Sequence, residues 1–399
     1  MSAYRFGRNA TIVLWYTLSK GLTLALFGLL FNLYVYAEGY DRQFIGILNA
    51  LPALTSFLAA VPAGLLGDRI GYRPLLLFTG FATPLTMLGL ALSHSALPLA
   101  LFSLCNGVVT TCYWVSAVPL LAASVGPERR VRLFALNSFL LWGMGSLGYL
   151  LGGQIVALAA GLLHQSQRAV APLRWGMLAI VIVGLLGALP LPLLHGTAQE
   201  RPPASERAPY DPRLYLRLLG PDVLLTCGGG AVAGFVGLYL TLRFGVRPGM
   251  LGNFLTISGL IGGALVLLAP RLADRVGTTR AAVALQAAGV PAILVLTLAP
   301  SQAVAMLGEV LRNGFRSMGD PVYNAFAMSS VPAEQRATIS GLYSTTWSIG
   351  FSLGPAVSGA IQERAGFTPA FLLGAGTMLL GATLLYLFFL RGRRAADGA

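Results

Sequence analysis

The chain has 399 residues and a mass of 41.9 kDa, with 56% apolar and only 10% charged side chains, where a soluble protein carries about 25% charge. Surface-to-volume scaling obliges a water-soluble chain of this size to wear many charges, so a mean hydropathy of +0.73 makes lipid the solvent for most of it. Disorder, collagen-like structure and a nucleic-acid-binding domain are excluded, despite a net charge of +13.

Twelve apolar runs, each long enough to cross roughly 30 Å of hydrocarbon as a helix, are predicted at about 11–37, 43–67, 74–93, 97–125, 131–161, 170–194, 214–242, 248–272, 280–299, 301–329, 336–362 and 367–390. Their internal Gly and Pro residues are common in membrane spans. The first run follows Arg5 and Arg8 and is too long for a removable signal peptide, so it is expected to remain as the first helix. Cys105, Cys112 and Cys227 fall in apolar runs without CxxC spacing, which predicts small core residues and neither a disulfide framework nor zinc. Between the sixth and seventh runs lies the longest polar stretch, rich in Pro and charge. It predicts a cytoplasmic linker over 195–213 between an N-terminal six-helix bundle, 1–194, and a C-terminal one, 214–399.

The loops orient the spans. The termini and the loops after even-numbered spans hold 18 basic residues, among them Arg69, Arg73, Arg129, Arg130, Arg132, Arg275, Arg280 and Arg391; the opposite loops hold six. By the positive-inside rule both termini are cytoplasmic, and most of the net charge is this topology signal.

Sliding the sequence on itself exposes a repeat at a constant offset of 206: Gly46 falls on Gly252, Asp68-Arg69 on Asp274-Arg275, Gly71 on Gly277, Gly148 on Gly354 and Gly153 on Gly359. In the fourth span the register slips by one, so that Asn106-Gly107 aligns with Asn313-Gly314. Two related six-span halves of this kind suit a secondary transporter that rocks about a midplane site.

The run GLLGDRIGYR, from Gly64 to Arg73, and its weaker copy PRLADRVG, from Pro270 to Gly277, resemble the signature loop of the major facilitator superfamily. The resemblance covers the whole chain and implies an all-α membrane protein of twelve transmembrane helices. It also implies a gating role for Asp68, Arg69 and Arg73, with Asp274 and Arg275 as the second copy; ordinary snorkelling loop charges are the alternative. In the fifth span GYLLGG, with Gly148, Gly152 and Gly153, is similar to the Gly-Pro-x-x-Gly-Gly stretch of the family's antiporters, although Tyr149 replaces the proline. The eleventh span has the better copy, GPAVSG, with Gly354, Pro355 and Gly359. Small residues at this spacing permit close helix packing, and proline a bend. The family's arginine in the fourth span is replaced by Cys105, so its proton-coupling role does not transfer here; the repeat mate, Arg312, has it.

Ionisable groups within hydrocarbon cost at least about 2.5 kcal/mol each at a helix centre, so they mark cavities or relays. The tenth run carries Glu309, Arg312, Arg316 and Asp320, spaced to share one helix face. Either they pair along the helix, Glu309 with Arg312 and Arg316 with Asp320, or the arginines fork an anionic substrate group while Glu309 or Asp320 exchanges a proton. Lys20 either faces a cavity or snorkels to the headgroups. Asp222 is expected to cap the seventh helix near its start, and Glu38 and Asp41 to be solvated beyond the first. Asn32, Tyr36, Asn106, Tyr113, Tyr239, Tyr343 and Trp347 lie on spans equivalent to those lining the family's cavity, with helix packing or an aromatic belt as the competing roles.

No HExxH or phosphate-cradling GxxxxGK[ST] occurs, so no enzyme, metal, cofactor or nucleotide-driven pump is expected. The expected protein is a monomeric secondary transporter in a bacterial inner membrane. It would move a small organic solute by alternating access, as a proton-coupled exporter; uptake of an organic anion is the alternative, and a membrane sensor or lipid-handling protein a third. Expected partners are the solute, protons and the lipid bilayer.

Overall fold

The computed structural model describes residues 7–195, 212–332 and 335–391; most of the expected linker, together with Arg5, Arg393 and Arg394, lies outside them. Long apolar stretches without water to satisfy their backbone must bond internally. Twelve long helices run through the described residues. They are α1 Arg8–Ala37, α2 Arg42–Ile70, α3 Tyr72–Leu92, α4 Ala96–Ala123, α5 Arg132–Leu162, α6 Val170–Leu193, α7 Pro212–Phe244, α8 Pro248–Val266, α9 Thr278–Thr297, α10 Gln302–Ser329, α11 Arg336–Ala365 and α12 Phe367–Arg391. Ten are long and apolar enough to cross a membrane; α10, with its four charges, and α11, rich in Ser, Thr and Gly, have the length with less apolarity.

The residues gather into two compact units. Unit 1 comprises Met1–Tyr40, Leu51–Pro202 and Val246–Thr256; unit 2 comprises Asp41–Ala50, Pro203–Gly245 and Ile257–Ala399. In unit 1, α1 packs on α5 and α6, and α3 on α4 and α6; in unit 2, α7 packs on α11 and α12, and α9 on α10 and α12. Adding six to each helix number turns one pattern into the other, so the repeat in the sequence is also a repeat in packing.

The repeated glycines are where backbones approach. A Cβ on Gly148 would strike the α1 backbone at Leu22, and one on its mate Gly354 the α7 backbone at Cys227. On Gly153 it would meet Pro248, Gly249 and Gly252 of α8 within unit 1; on Gly359 it would meet Arg42 and Gly46 of α2 within unit 2. Gly152 faces the side chains of Leu26 and Leu29. The missing proline of α5 has a substitute. The helix loosens into a π-turn at Phe139–Gly143 and a 3-10 turn at Met144–Ser146, a local irregularity of the kind that bends helices. In α11 Pro355 sits inside one unbroken helix.

Candidate substrate, proton and gating residues

The signature loop makes a tight turn between α2 and α3. Gly71 holds φ +89° and its repeat mate Gly277 φ +86°, a region that L side chains rarely adopt, which explains glycine at both places. Asp68 Oδ1 accepts a hydrogen bond from the Tyr72 hydroxyl at 2.7 Å, and Arg73 donates to the Pro192 carbonyl at 3.2 Å. Neither Asp68 with Arg69, nor Asp274 with Arg275, forms an ion pair among the described residues; the five that occur lie elsewhere.

In unit 1, Lys20 is 3% exposed, so its ammonium points into protein and does not reach for the headgroups. It lies 5.5 Å from the Tyr113 ring centroid and makes no ion pair among the described residues. Around it Thr17 donates to Asn137 Oδ1 at 2.8 Å, tying α1 to α5, and Tyr16 meets Tyr113 edge to face. Asn32 and Asn106 are also buried, and Asn106 Oδ1 has no hydrogen-bond partner there. Tyr36 is exposed. Cys105 is exposed, whereas Cys112 is in the core and Cys227 partly buried.

The α1–α6 corner of unit 1 departs from expectation at Glu38. Arg174 Nη2 donates to Glu38 Oε1 at 2.7 Å, and His94 Nδ1 lies 3.3 Å from Oε2, so this carboxylate is a paired corner between α1 and α6 and not a solvated one. Burial by itself would raise its pKa; the hydrogen bonds from Arg174, His94 and Tyr34 outweigh that and hold the carboxyl below its ordinary value. In unit 2 Asp41 is exposed but employed, its Oδ1 accepting from the Phe44 amide at the start of α2.

The charged stripe of α10 divides in two. Glu309 and Arg312 are buried and joined by two parallel bonds, Nε to Oε2 and Nη2 to Oε1, both 2.7 Å, a bidentate geometry that satisfies the carboxylate. Arg316 and Asp320 pair loosely at 3.7 Å with side chains 42% and 56% exposed. The pairings along the helix are therefore formed, one closed and one open. Tyr239 is fully buried and donates to the Leu296 carbonyl, a helix-packing position, and Trp347 is half-exposed, stacked on Phe351.

Asp222 is the residue that sequence reasoning misplaced. Helix α7 begins at Pro212, so Asp222 lies about 15 Å inside it and cannot cap it. It is 7% exposed, and its Oδ2 accepts from the Thr346 hydroxyl of α11, which also lies 2.9 Å from the Tyr343 carbonyl. Tyr323 of α10 and Tyr343 of α11 stand edge to face beside it, within Coulombic reach. Tyr323 donates to the Leu218 carbonyl, whereas the Tyr343 hydroxyl is buried with no partner among the described residues. The signal for Asp222 was in the sequence, since the apolar run continues on both sides of it.

The family model described as Major Facilitator Superfamily matches residues 13–241 and 223–398. An uncharacterised MFS-type transporter of Salmonella typhimurium is 27% identical over 290 residues, covering 68% of this chain and 72% of that protein. Among solved structures, a bacterial homologue of the human lysosomal transporter Spinster, inward-facing and unoccupied, superposes with a TM-score of 0.77 at 15% identity, over 96% of this chain and 97% of that one. The nucleoside transporter NupG gives 0.73 at 14% identity over 96% and 100%. The human organic anion transporter MFSD10 gives 0.64 at 18% over 95% and 99%. At such identities these structures establish the fold alone. With twelve long helices, the repeated packing pattern and the family match along nearly its whole length, the chain belongs to the Major Facilitator Superfamily and is a multi-pass membrane transporter.

Proposed function

We propose that this transporter is a proton-coupled exporter of a small organic solute, working by alternating access between halves 1–194 and 214–399 joined by the linker 195–213. One observation carries the proposal most: the Arg316–Asp320 pair is open, half-exposed, and sits in the middle of α10. An exposed ion pair at that depth is too costly against hydrocarbon, so this face borders a water-filled path. There a guanidinium can bind an anionic or hydrogen-bonding group, and a loosely held carboxylate can give up its partner. In unit 2 Tyr343 and Trp347 join the open pair as candidate contacts and the closed Glu309–Arg312 pair serves as framework; in unit 1 the candidates are Lys20, Asn32, Asn106 and Tyr113. Asp68, Arg69, Arg73, Asp274 and Arg275 gate the cytoplasmic loops. The close-packed glycines, whose sequence is similar to that of the family's antiporters, support export, and the arginine distribution supports an inner-membrane protein with both termini cytoplasmic; the transporter is proposed to work as a monomer.

A second direction, uptake of an organic anion, is favoured if Arg316 contacts the substrate, and the buried Lys20, which makes no ion pair among the described residues, also suits an anion. Proteoliposomes test both. An imposed pH gradient is applied, with radiolabelled uridine, carboxyfluorescein and ethidium as probes of the nucleoside, organic-anion and organic-cation classes. Extrusion of one probe that collapses with the gradient is expected. Transport indifferent to pH refutes the coupling, and accumulation of carboxyfluorescein in its place favours uptake. Arg316→Ala is expected to abolish movement of the transported probe, and wild-type rates in that variant would remove the site.

A further inference from the structure

The packing repeat places equivalent helices around equivalent polar clusters, but the clusters hold opposite charges. In unit 1 a Thr17–Asn137 bond links α1 to α5 beside the Lys20 ammonium and the Tyr113 ring. In unit 2 an Asp222–Thr346 bond links α7 to α11 beside the Tyr323 and Tyr343 rings. Asp222 stands where the repeat has Tyr16, and Tyr343 where it has Asn137. No arginine, lysine or histidine nitrogen among the described residues lies within ion-pair distance of Asp222. Glu309 differs, since both its oxygens are held by Arg312.

One hydroxyl carries one proton, yet the Thr346 hydroxyl lies within bonding distance of two acceptors, Asp222 Oδ2 and the Tyr343 carbonyl. Against a carboxylate that single proton is divided between them. If Asp222 is a carboxylic acid, its own O–H donates to Thr346 and Thr346 donates to the Tyr343 carbonyl, so each bond in this chain has its own proton. The surroundings suit both forms. Facing Asp222 from α10 are Asp320 and Tyr323, and from α11 Tyr343 and Thr346, while α12 carries no charged side chain before Arg391. When the proton leaves, the Thr346 proton can turn wholly to Asp222, and Tyr343 holds an uncommitted, nine-tenths-buried hydroxyl within Coulombic reach.

We infer that Asp222 is the carboxyl group that takes up and releases the coupled proton, with the Thr346 hydroxyl and the Tyr343 carbonyl as the hydrogen-bond chain that reads its state. In each cycle a hydronium ion on one side protonates Asp222 and leaves water; on the other side the Asp222 O–H bond breaks and the proton returns to water, leaving the carboxylate. The chain lies one helical turn from Gly350, whose Cβ would meet the Thr226 side chain and the Cys227 amide of α7. The Thr346 hydroxyl therefore sits one turn from a close α7–α11 approach. The inference rests on the proton-coupled function proposed above and specifies its site.

The test is an infrared titration of the full-length protein in lipid nanodiscs, following the carbonyl stretch of protonated carboxyl groups, with gel filtration confirming that each variant is folded. Wild type is expected to lose one such band as pH rises. The band should be absent in Asp222→Asn, retained in Asp222→Glu, and shifted in frequency in Thr346→Val, where its acceptor is gone. The Thr346→Val shift keeps the test decisive even where Asp222→Asn does not fold. A wild type without a titrating band, or a band that survives unchanged in Asp222→Asn, overturns the inference. Gradient-driven probe transport separates the two proposals. If Asp222→Asn still couples as wild type does, the assignment fails and the coupling stands; if wild type ignores the gradient, the coupling fails and the assignment with it.

Discussion

Removing one member of the Glu309–Arg312 pair should cost far more than removing both. Arg312→Met leaves a Glu309 carboxylate whose side chain is only 6% exposed with its two 2.7 Å bonds gone. Each bond to a charged group is worth about 1.5–3 kcal/mol, and breaking a buried pair one-sidedly costs about 3–5 kcal/mol. A lone charge inside the membrane costs a similar amount, about 2.5–3.5 kcal/mol. The three routes agree on roughly 3–5 kcal/mol for Arg312→Met and, by the same logic, for Glu309→Leu. The double variant Glu309→Leu/Arg312→Met removes both charges together and should fall near wild type, within about 1 kcal/mol, because replacing a buried pair with apolar groups is often neutral. Equilibrium unfolding in mixed dodecylmaltoside–SDS micelles, run as a double-mutant cycle, reads the coupling directly. Additive single costs, or singles costing under about 1 kcal/mol, would refute the closed-pair geometry. Loss of transport in a well-folded double variant would return Arg312 to the substrate path.

The Glu38 corner should carry a pH signature. Its folded pKa lies below the unfolded value, so its contribution is present above about pH 4.3 and is lost as pH falls through the lower folded value. Glu38→Gln should cost about 1–2 kcal/mol at pH 7 and progressively less as pH falls below about 4.3 in thermal unfolding; a cost that does not fall with pH would contradict the pairing. Gly71→Ala and Gly277→Ala should each cost about 1–3 kcal/mol, the strain of a non-glycine residue at such a φ, whereas Gly376→Ala, with open space at its Cβ and no positive φ, should be neutral in the same measurement. A neutral Gly71→Ala would mean that the loop turns in some other way.

The lipid solvent, the twelve helices and the twofold repeat were legible because each depends on composition and on residues close in sequence: a 20-residue apolar run must be helical wherever it sits. The signature loop was legible for the same reason, since the positive φ at Gly71 and at Gly277 is a local demand. The charges of α10 were half legible. Spacing of three and four places Glu309 beside Arg312 and Arg316 beside Asp320, but spacing says nothing of burial. Burial is what separates a closed pair from an open one.

Tertiary structure decided what each charge meets, because that depends on contacts across long stretches of chain. Asp222 finds Thr346 124 residues away, Glu38 finds Arg174 136 away, and Lys20 lies under a ring from α4. In sequence Asp222 stood beside Pro221 and looked like a helix cap, and Glu38 looked like a loop acid. A charged side chain costs little in water and much in a helix bundle, and only the packing of neighbouring helices determines which of the two it meets.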